Sequence, residues 1–401
     1  MSQFFCSKSR PIHITAISDL RTRLFRGYPW VFKNEVESVN RDVPRGTLAL
    51  LKNRKGDIIA KGIFDPQSNL CFRVLDLSQD RFNDDIVASR IQQSIDHRLL
   101  IIPPNTNCYR VLNGEGDYLP GMVFDKYGTF GVLKFDGLSP ASFWNAELIA
   151  QLIARKLKLS SVIVRNRDKD SLEETSRCIY GEAPLEEILV TENGHKFLVN
   201  ILKGQKTGFF LDQRDNRHLI GQIACGMKVL NLFGYTGGFS VYAGANGAKE
   251  ITTVDSAKPA IKGAEKNFRV NNLSASNHQL STDDAYSFLE RAVAQQKTWD
   301  LIIVDPPAFI QNTTQLEAGG KAYSHLFTQA LKTLKVGGVI AFASCSGRFL
   351  PEEFQNTINL ALKRTKKRGI VIANRGLPAD HPFPFECKEL GYLKFMLLRC
   401  F

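Results

Sequence analysis

No run of apolar residues in this 401-residue chain is long enough to span a bilayer, which removes membrane-spanning roles from consideration. There is no low-complexity tract and no internal repeat, so neither a solenoid nor a biased scaffold fits. The eight cysteines (Cys6, Cys71, Cys108, Cys178, Cys225, Cys345, Cys387 and Cys400) form no C-x-x-C pair. That spacing excludes a zinc ribbon and a thioredoxin motif, and no metal site is expected. In a chain of this size a disulfide framework is not expected either, and most of the thiols read as small buried apolar groups. The opening stretch MSQFFCSKSR lacks the basic-then-apolar layout of a secretory signal, so a cytoplasmic protein is expected.

What is present is an ordinary globular composition, 43% hydrophobic and 23% charged. The length favours two or three domains over one core. Lysine and arginine (52) outnumber aspartate and glutamate (40), giving a net charge of +12. An excess of this sign concentrates polyanions at the surface, as nucleic-acid binders do and as many other basic proteins also do.

Short apolar runs separated by turn residues fill the first segment: 48–51, 58–64 and 70–75, with a short helix over 19–25. This pattern predicts a small β-barrel over residues 1–78. A helix over 84–100 ends at Pro103-Pro104. Strands around Asp125-Lys126, a helix over 142–156, a strand over 161–165 and a hairpin turning at Asn193-Gly194 complete an α+β middle domain, 79–200. From 201 to 401 strands and helices alternate. Apolar strands are expected over 228–233, 250–255, 278–280, 299–305 and 338–343, with helices over 237–245, 259–271, 285–295 and 323–334. Alternation with apolar strands means a mostly parallel sheet covered on both faces, an α/β Rossmann-like domain.

In such sheets ligands bind beyond the carboxyl ends of the strands. The first strand runs into NLFGYTGG (231–238), where Asn231, Phe233, Tyr235, Thr236 and Gly237 are candidate ligand contacts. Glycines let the backbone approach a ligand, and the following helix offers unpaired amides; a tight strand–helix turn would use the same residues. Asp255 ends the next strand, where a carboxylate can accept ribose hydroxyls. Asp284 follows the third strand and suits either an adenine edge or a helix N-cap. A dinucleotide domain expects G-x-G-x-x-G, which this loop does not supply. The set fits S-adenosylmethionine and a class I methyltransferase.

The fourth strand ends in DPPAF (305–309). Pro306 and Pro307 stiffen the backbone after Asp305, and Phe309 offers a stacking face for a planar base. The fifth ends in SCSG (344–347), placing Cys345 at the mouth of the sheet. C5 of cytosine is a poor nucleophile until a thiolate adds at C6, so a cysteine there points to C5 methylation. A buried structural cysteine is the competing reading.

The blocks KTGFFLDQRDNR (206–217), NLFGYTGGF (231–239), VDPPAF (304–309) and SCS (344–346) together resemble the bacterial large-subunit (23S) ribosomal RNA cytosine-C5 methyltransferase family. GYPWVF (27–32) is similar to the start of that family's PUA domain, an RNA-binding β-barrel, and NGEGDYLPGMVFD (113–125) to its middle domain. The resemblance implies that Gln213 and Arg214 shape the cofactor pocket, Asp255 holds the ribose, Asp284 the adenine end and Asp305 the target base. It also makes Cys345 the nucleophile and large-subunit ribosomal RNA the partner. Ala308 stands where the family commonly has lysine, and Gly347 where it often has histidine.

Two rival readings stay open: methylation of another RNA atom with Cys345 structural, and a silent RNA-binding protein with a methyltransferase fold. The basic run KRTKKR (363–368) suits RNA phosphates or a solvated helix face equally. The late loop around His381 is a candidate cover for the site. The base that removes the C5 proton is open between water and Asp305, and the oligomeric state is open with a homodimer among the options.

Overall fold

The computed structural model describes residues 4–5, 11–38, 42–78, 80–167, 174–310 and 313–401; Cys6 lies outside them. The chain divides into two compact units. The first comprises residues 1–190, 199–211 and 379–388, and the second 191–198, 212–378 and 389–401. No described helix is long and apolar enough to cross a membrane.

The first unit begins with β1 (Ile12–Thr15), α1 (Arg21–Phe25), β2 (Trp30–Phe32), β3 (Thr47–Lys52), β4 (Ile58–Phe64) and β5 (Leu70–Asp76). Their sheet runs β1-β3-β4-β5-β2 around a core that includes Val31, Leu51, Phe64 and Phe72. Next come α2 (Asp84–Ile101), β6 (Cys108–Asn113), β7 (Met122–Tyr127), β8 (Phe130–Phe135), α3 (Leu138–Phe143), α4 (Ala146–Leu157), β9 (Ser161–Arg167) and β10 (Glu174–Gly181), with sheet order β10-β9-β8-β7-β6. The helix expected over 142–156 is two helices. Trp144 takes an extended backbone, and Asn145 then caps α4 by accepting from the Leu148 amide at 3.2 Å. Asparagine's short acceptor satisfies an orphan first-turn amide, so a new helix starts there.

The motif at 113–125 is a structural hub of this unit. Glu115 accepts from Trp30 Nε1 (2.9 Å) and Arg73 Nη1 (2.7 Å), joining β2 and β5 to the turn after β6. Asp117 makes a bidentate pair with buried Arg98, and Asp125 does the same with Arg110. Asp125 also accepts from Thr207 Oγ1 at 2.6 Å. His381 is 2% exposed here, its Nδ1 3.1 Å from Asp380, whose carboxylate also accepts the Arg110 amide. This part of the late loop is a buried staple, and its imidazole is spent on packing rather than offered to a ligand.

β11 (Ile188–Glu192) and β12 (His195–Val199) form the expected hairpin. Asn193 and Gly194 both have positive φ (48° and 82°), as a two-residue turn that follows strand twist requires.

The second unit contains α5 (Arg214–Ile223), β13 (Lys228–Leu232), α6 (Gly238–Ala245), β14 (Glu250–Asp255), α7 (Lys258–Val270), β15 (His278–Thr282), α8 (Ala285–Ala294), β16 (Trp299–Val304), α9 (Leu316–Lys332), β17 (Leu334–Ser344), α10 (Pro351–Thr365), β18 (Gly369–Arg375) and β19 (Lys394–Cys400). One seven-stranded sheet runs β15-β14-β13-β16-β17-β19-β18. The first five strands are parallel, with β14, β13, β16 and most of β17 buried and β15 a partly exposed edge, and β19 and β18 add an antiparallel edge on the other side. Helix α9 starts seven residues before the expected 323, and β18, β19 and β10 were not anticipated. The run KRTKKR closes α10: Arg364 donates to Ser324 Oγ (2.9 Å) and Lys367 to the Leu334 carbonyl (3.2 Å). Cations at a helix C-terminus also favour its exposed carbonyls.

Candidate active site

Pairing register aligns the strand ends. Leu232 faces Val254 on one side and Val304 on the other, and Val304 faces Phe342. The loops starting at Phe233, Asp255, Asp305 and Ala343 therefore leave one edge of the sheet together. Strand order reverses between β13 and β16, where open α/β sheets hold ligands.

The loop after β13 is held in an uncommon conformation. Phe233 (φ 57°), Tyr235 (φ 46°) and Gly237 (φ 78°) all lie in the left-handed region, which non-glycine residues seldom occupy without compensation. The compensation is visible. The Gly234 amide donates to the Val254 carbonyl (2.9 Å), the Tyr235 amide to Asp255 Oδ2 (2.9 Å), and Asn267 Nδ2 to the Thr236 carbonyl (2.8 Å). Gly234 has no room for a side chain, since a Cβ would sit 2.4 Å from Thr253 Cγ2. Helix α6 then starts from Gly237 with no side-chain cap, leaving first-turn amides for an outside acceptor.

Asn231 lies beneath this loop, 1% exposed, its Nδ2 donating to Ser240 Oγ at 2.9 Å. The brace continues from Ser240 to Thr253 (2.6 Å) and His278 Nε2 (2.7 Å). Asn231 Oδ1 is buried with no hydrogen-bond partner among the described residues. Asp255 takes the Tyr235 amide on one oxygen and the Ala257 amide (2.9 Å) on the other, and each oxygen keeps a second acceptor site. Asp284 is the N-cap of α8, accepting from the Ser287 amide at 3.0 Å, and neighbouring Asp283 pairs with Arg291. Gln213 and Arg214 are both buried. Gln213 Oε1 accepts from Asn216, and Arg214 Nε lies 3.2 Å from Asp215. One turn on, Arg217 forms a buried bidentate pair with Glu192 (2.8 and 2.6 Å), which also accepts from Tyr242.

On the other side of the switch point, Asp305 is half-buried, Pro306 buried and Pro307 exposed. The Pro306 ring is packed into the protein, while that of Pro307 lies at the surface. Phe309 packs on Tyr323 with ring centroids 4.7 Å apart, so part of its surface is already used. In the SCS segment the three side chains separate cleanly. Ser344 and Ser346 are buried and each is 3.0 Å from the Tyr323 hydroxyl, while Cys345 between them is half-exposed. Ser346 Oγ also accepts from the Ile310 amide (3.3 Å), tying the loops after β16 and β17 together. Burial raises the Tyr323 hydroxyl pKa, keeping it a neutral donor.

Three residues of this site were not anticipated. Tyr323 carries no signal in its surroundings. Tyr392 donates to Asp212 Oδ2 at 2.8 Å. Lys394 is 7% exposed and donates from Nζ to the carbonyls of Ser346 (2.5 Å) and Tyr392 (2.7 Å). Its signal was a single lysine inside the apolar run YLKFMLL (392–398).

Residues 155–353 match the S-adenosylmethionine-dependent methyltransferase family and residues 20–77 a PUA-like domain family. A ribosomal RNA large subunit methyltransferase of Deinococcus radiodurans is 33% identical over 385 residues, covering 93% of each chain. This chain belongs to the ribosomal RNA large subunit methyltransferase family. Ribosomal RNA large subunit methyltransferase I of Tolumonas auensis is also 33% identical, over 95% of this chain and 97% of that one. Among solved structures, a putative SAM-dependent methyltransferase from Streptococcus mutans superposes with a TM-score of 0.85 at 25% identity, covering 97% of this chain and all of the other. A putative methyltransferase complexed with SAH superposes equally well, at 25% identity, over 98% of this chain and all of that one. The family places a PUA-like domain at the N-terminus and a Rossmann-like methyltransferase domain behind it. Its cofactor is S-adenosylmethionine.

The site geometry fits that cofactor. The left-handed loop, the uncapped start of α6, the unpartnered Asn231 oxygen and the carboxylate of Asp255 all belong to the same strand ends.

Proposed function

We propose that this protein methylates C5 of a cytosine in large-subunit ribosomal RNA, with Cys345 as the nucleophile. The observation that carries the reading is the sorting of the SCS segment: two serines turned into the protein against Tyr323 and one thiol left at the sheet mouth. Cys71, Cys108, Cys387 and Cys400 are buried, whereas Cys345 is partly exposed and stands at the end of a central strand.

Phe233, Tyr235, Thr236 and Gly237 form the wall against which the cofactor rests. Asp255 receives the ribose hydroxyls, Asp284 stands at the adenine end, and Asn231, Gln213 and Arg214 support the pocket from beneath. S-adenosylmethionine supplies the methyl group as an electrophilic carbon. The Cys345 thiolate adds to C6 of the base, forming an S–C6 bond and making C5 enamine-like. Asp305 accepts from the cytosine amino group, a donor edge suited to a carboxylate. Pro307 and Phe309 flank the base. Once the methyl group has passed from the cofactor's sulfonium to C5, leaving S-adenosylhomocysteine, loss of the C5 proton and expulsion of the thiolate restore the ring. A target in structured RNA must leave its stack to reach the thiol.

In this reading residues 1–78 bind RNA, 79–200 form a middle domain and 201–401 perform the transfer. The net charge of +12 favours a polyanion, and cytoplasmic ribosomal RNA is the substrate. The test is Cys345→Ala, assayed by mass spectrometry of nucleosides from methylated RNA. Wild type should yield 5-methylcytidine, and the variant none while still binding S-adenosylhomocysteine. Full turnover by the variant, or methylation at another atom, would sink the reading.

A further inference from the structure

We propose that Lys394 is a positioning residue for Cys345, holding the turn that carries the thiol and supplying the positive charge that favours its thiolate. The inference builds on the proposed nucleophilic role of Cys345, and its test reads the thiol directly.

Lys394 opens β19 and is the register partner of Ser344, the residue before the thiol. Its Nζ donates to the carbonyl of Ser346, the residue after it. Lys394 therefore meets the strand end on both sides of Cys345, through backbone pairing opposite Ser344 and through its ammonium at Ser346. A second bond, to the Tyr392 carbonyl, fixes the stem.

The charge balance points the same way. Taking an ammonium out of water is costly unless an opposite charge compensates. Among the described residues Lys394 forms no ion pair with a carboxylate. The groups that favour its charged form are Cys345 first and Glu353 on α10 second, against burial that draws it down to about 8. Glu353 is itself committed to the Leu350 amide at 2.8 Å. The other titratable groups beside the pair are Tyr323 on α9, held neutral by burial and bonded to both flanking serines, and Tyr392 with its partner Asp212. Lysine and thiol stabilise each other's charged forms, and the reactive form of cysteine is the thiolate.

The experiment uses the full chain without RNA. Iodoacetamide labelling of Cys345 is followed by peptide mass spectrometry from pH 5.5 to 9.5, with exposed Cys225 in the same samples as control. In wild type the half-maximal labelling of Cys345 should lie at least about one pH unit below the ordinary thiol value of ~8.5. Lys394→Met should move that midpoint up by about one unit, slowing labelling at pH 7 about tenfold, and Lys394→Arg should restore most of it. A wild-type midpoint at or above the ordinary value overturns the proposal whether or not any variant folds. So does a Lys394→Met profile that matches wild type. If Cys345→Ala still methylates RNA while the labelling shift is found, the nucleophile reading fails and the lysine–thiol coupling stands.

Discussion

The loops after β13 and β17 leave the same sheet edge and are built by opposite means. The β13 loop is shaped by its backbone: three left-handed residues, a glycine with no space for a Cβ, and amides held by neighbouring strands. The β17 loop is shaped by side chains from distant elements, Tyr323 from α9 and Lys394 from β19. A backbone-built surface offers amides and tolerates little variation. A side-chain-built surface can present one reactive group and tune it. The first suits a constant cofactor, and the second suits chemistry on a substrate.

Perturbing one loop at a time should break this division if it is wrong. The largest effect is expected from Cys345→Ala, a loss of turnover on the order of 10³-fold or more with S-adenosylhomocysteine affinity unchanged, measured by single-turnover assay and calorimetry. Gly234→Ala should do the reverse. Its Cβ would strike Thr253, so we expect a stability loss of about 1–3 kcal/mol in denaturant melts and weaker cofactor binding, with the Cys345 labelling profile unmoved.

The brace under the β13 loop has its own pH signature. Burial pushes the His278 imidazole down to about 4, against an unfolded value near 6.5. The neutral ring that donates or accepts at Thr253 is fully present above pH 6.5. As pH falls from 6.5 toward 4 the unfolded chain binds the proton first, so stability is lost across that window, by a few kcal/mol at most. Denaturant melts at pH 7 and pH 4.5 should show the slope, and His278→Gln should flatten it. The smallest effect is expected from Tyr323→Phe, which removes two hydrogen bonds to the SCS serines. It should cost about 1–2 kcal/mol in stability and lower turnover while sparing cofactor affinity.

Much of this was legible before any fold was known. The parallel strands announced themselves as apolar runs, the Asn193-Gly194 turn as a hairpin, and the acidic residues at strand ends by their spacing. The broken helix at Trp144-Asn145 was missed because the apolar pattern continues across it, although Asn145 is a fitting cap. The edge strands β18 and β19 were missed because antiparallel strands following α10 do not continue the alternation. Asp284 was legible as either ligand or cap, and its bond to Ser287 shows the cap in use.

By itself the sequence determined the alternation of the parallel strands with their helices and the family, and it singled out Cys345 as the candidate thiol, because those depend on local periodicity and on residue types at strand ends. Only the tertiary structure showed that Ser344 and Ser346 turn inward, that His381 is a buried staple, and that a lysine 49 positions after Cys345 grips its turn. The reason is physical. Which way a side chain turns and which charges meet in a low-dielectric interior depend on the pairing of distant strands, and sequence spacing does not encode that pairing.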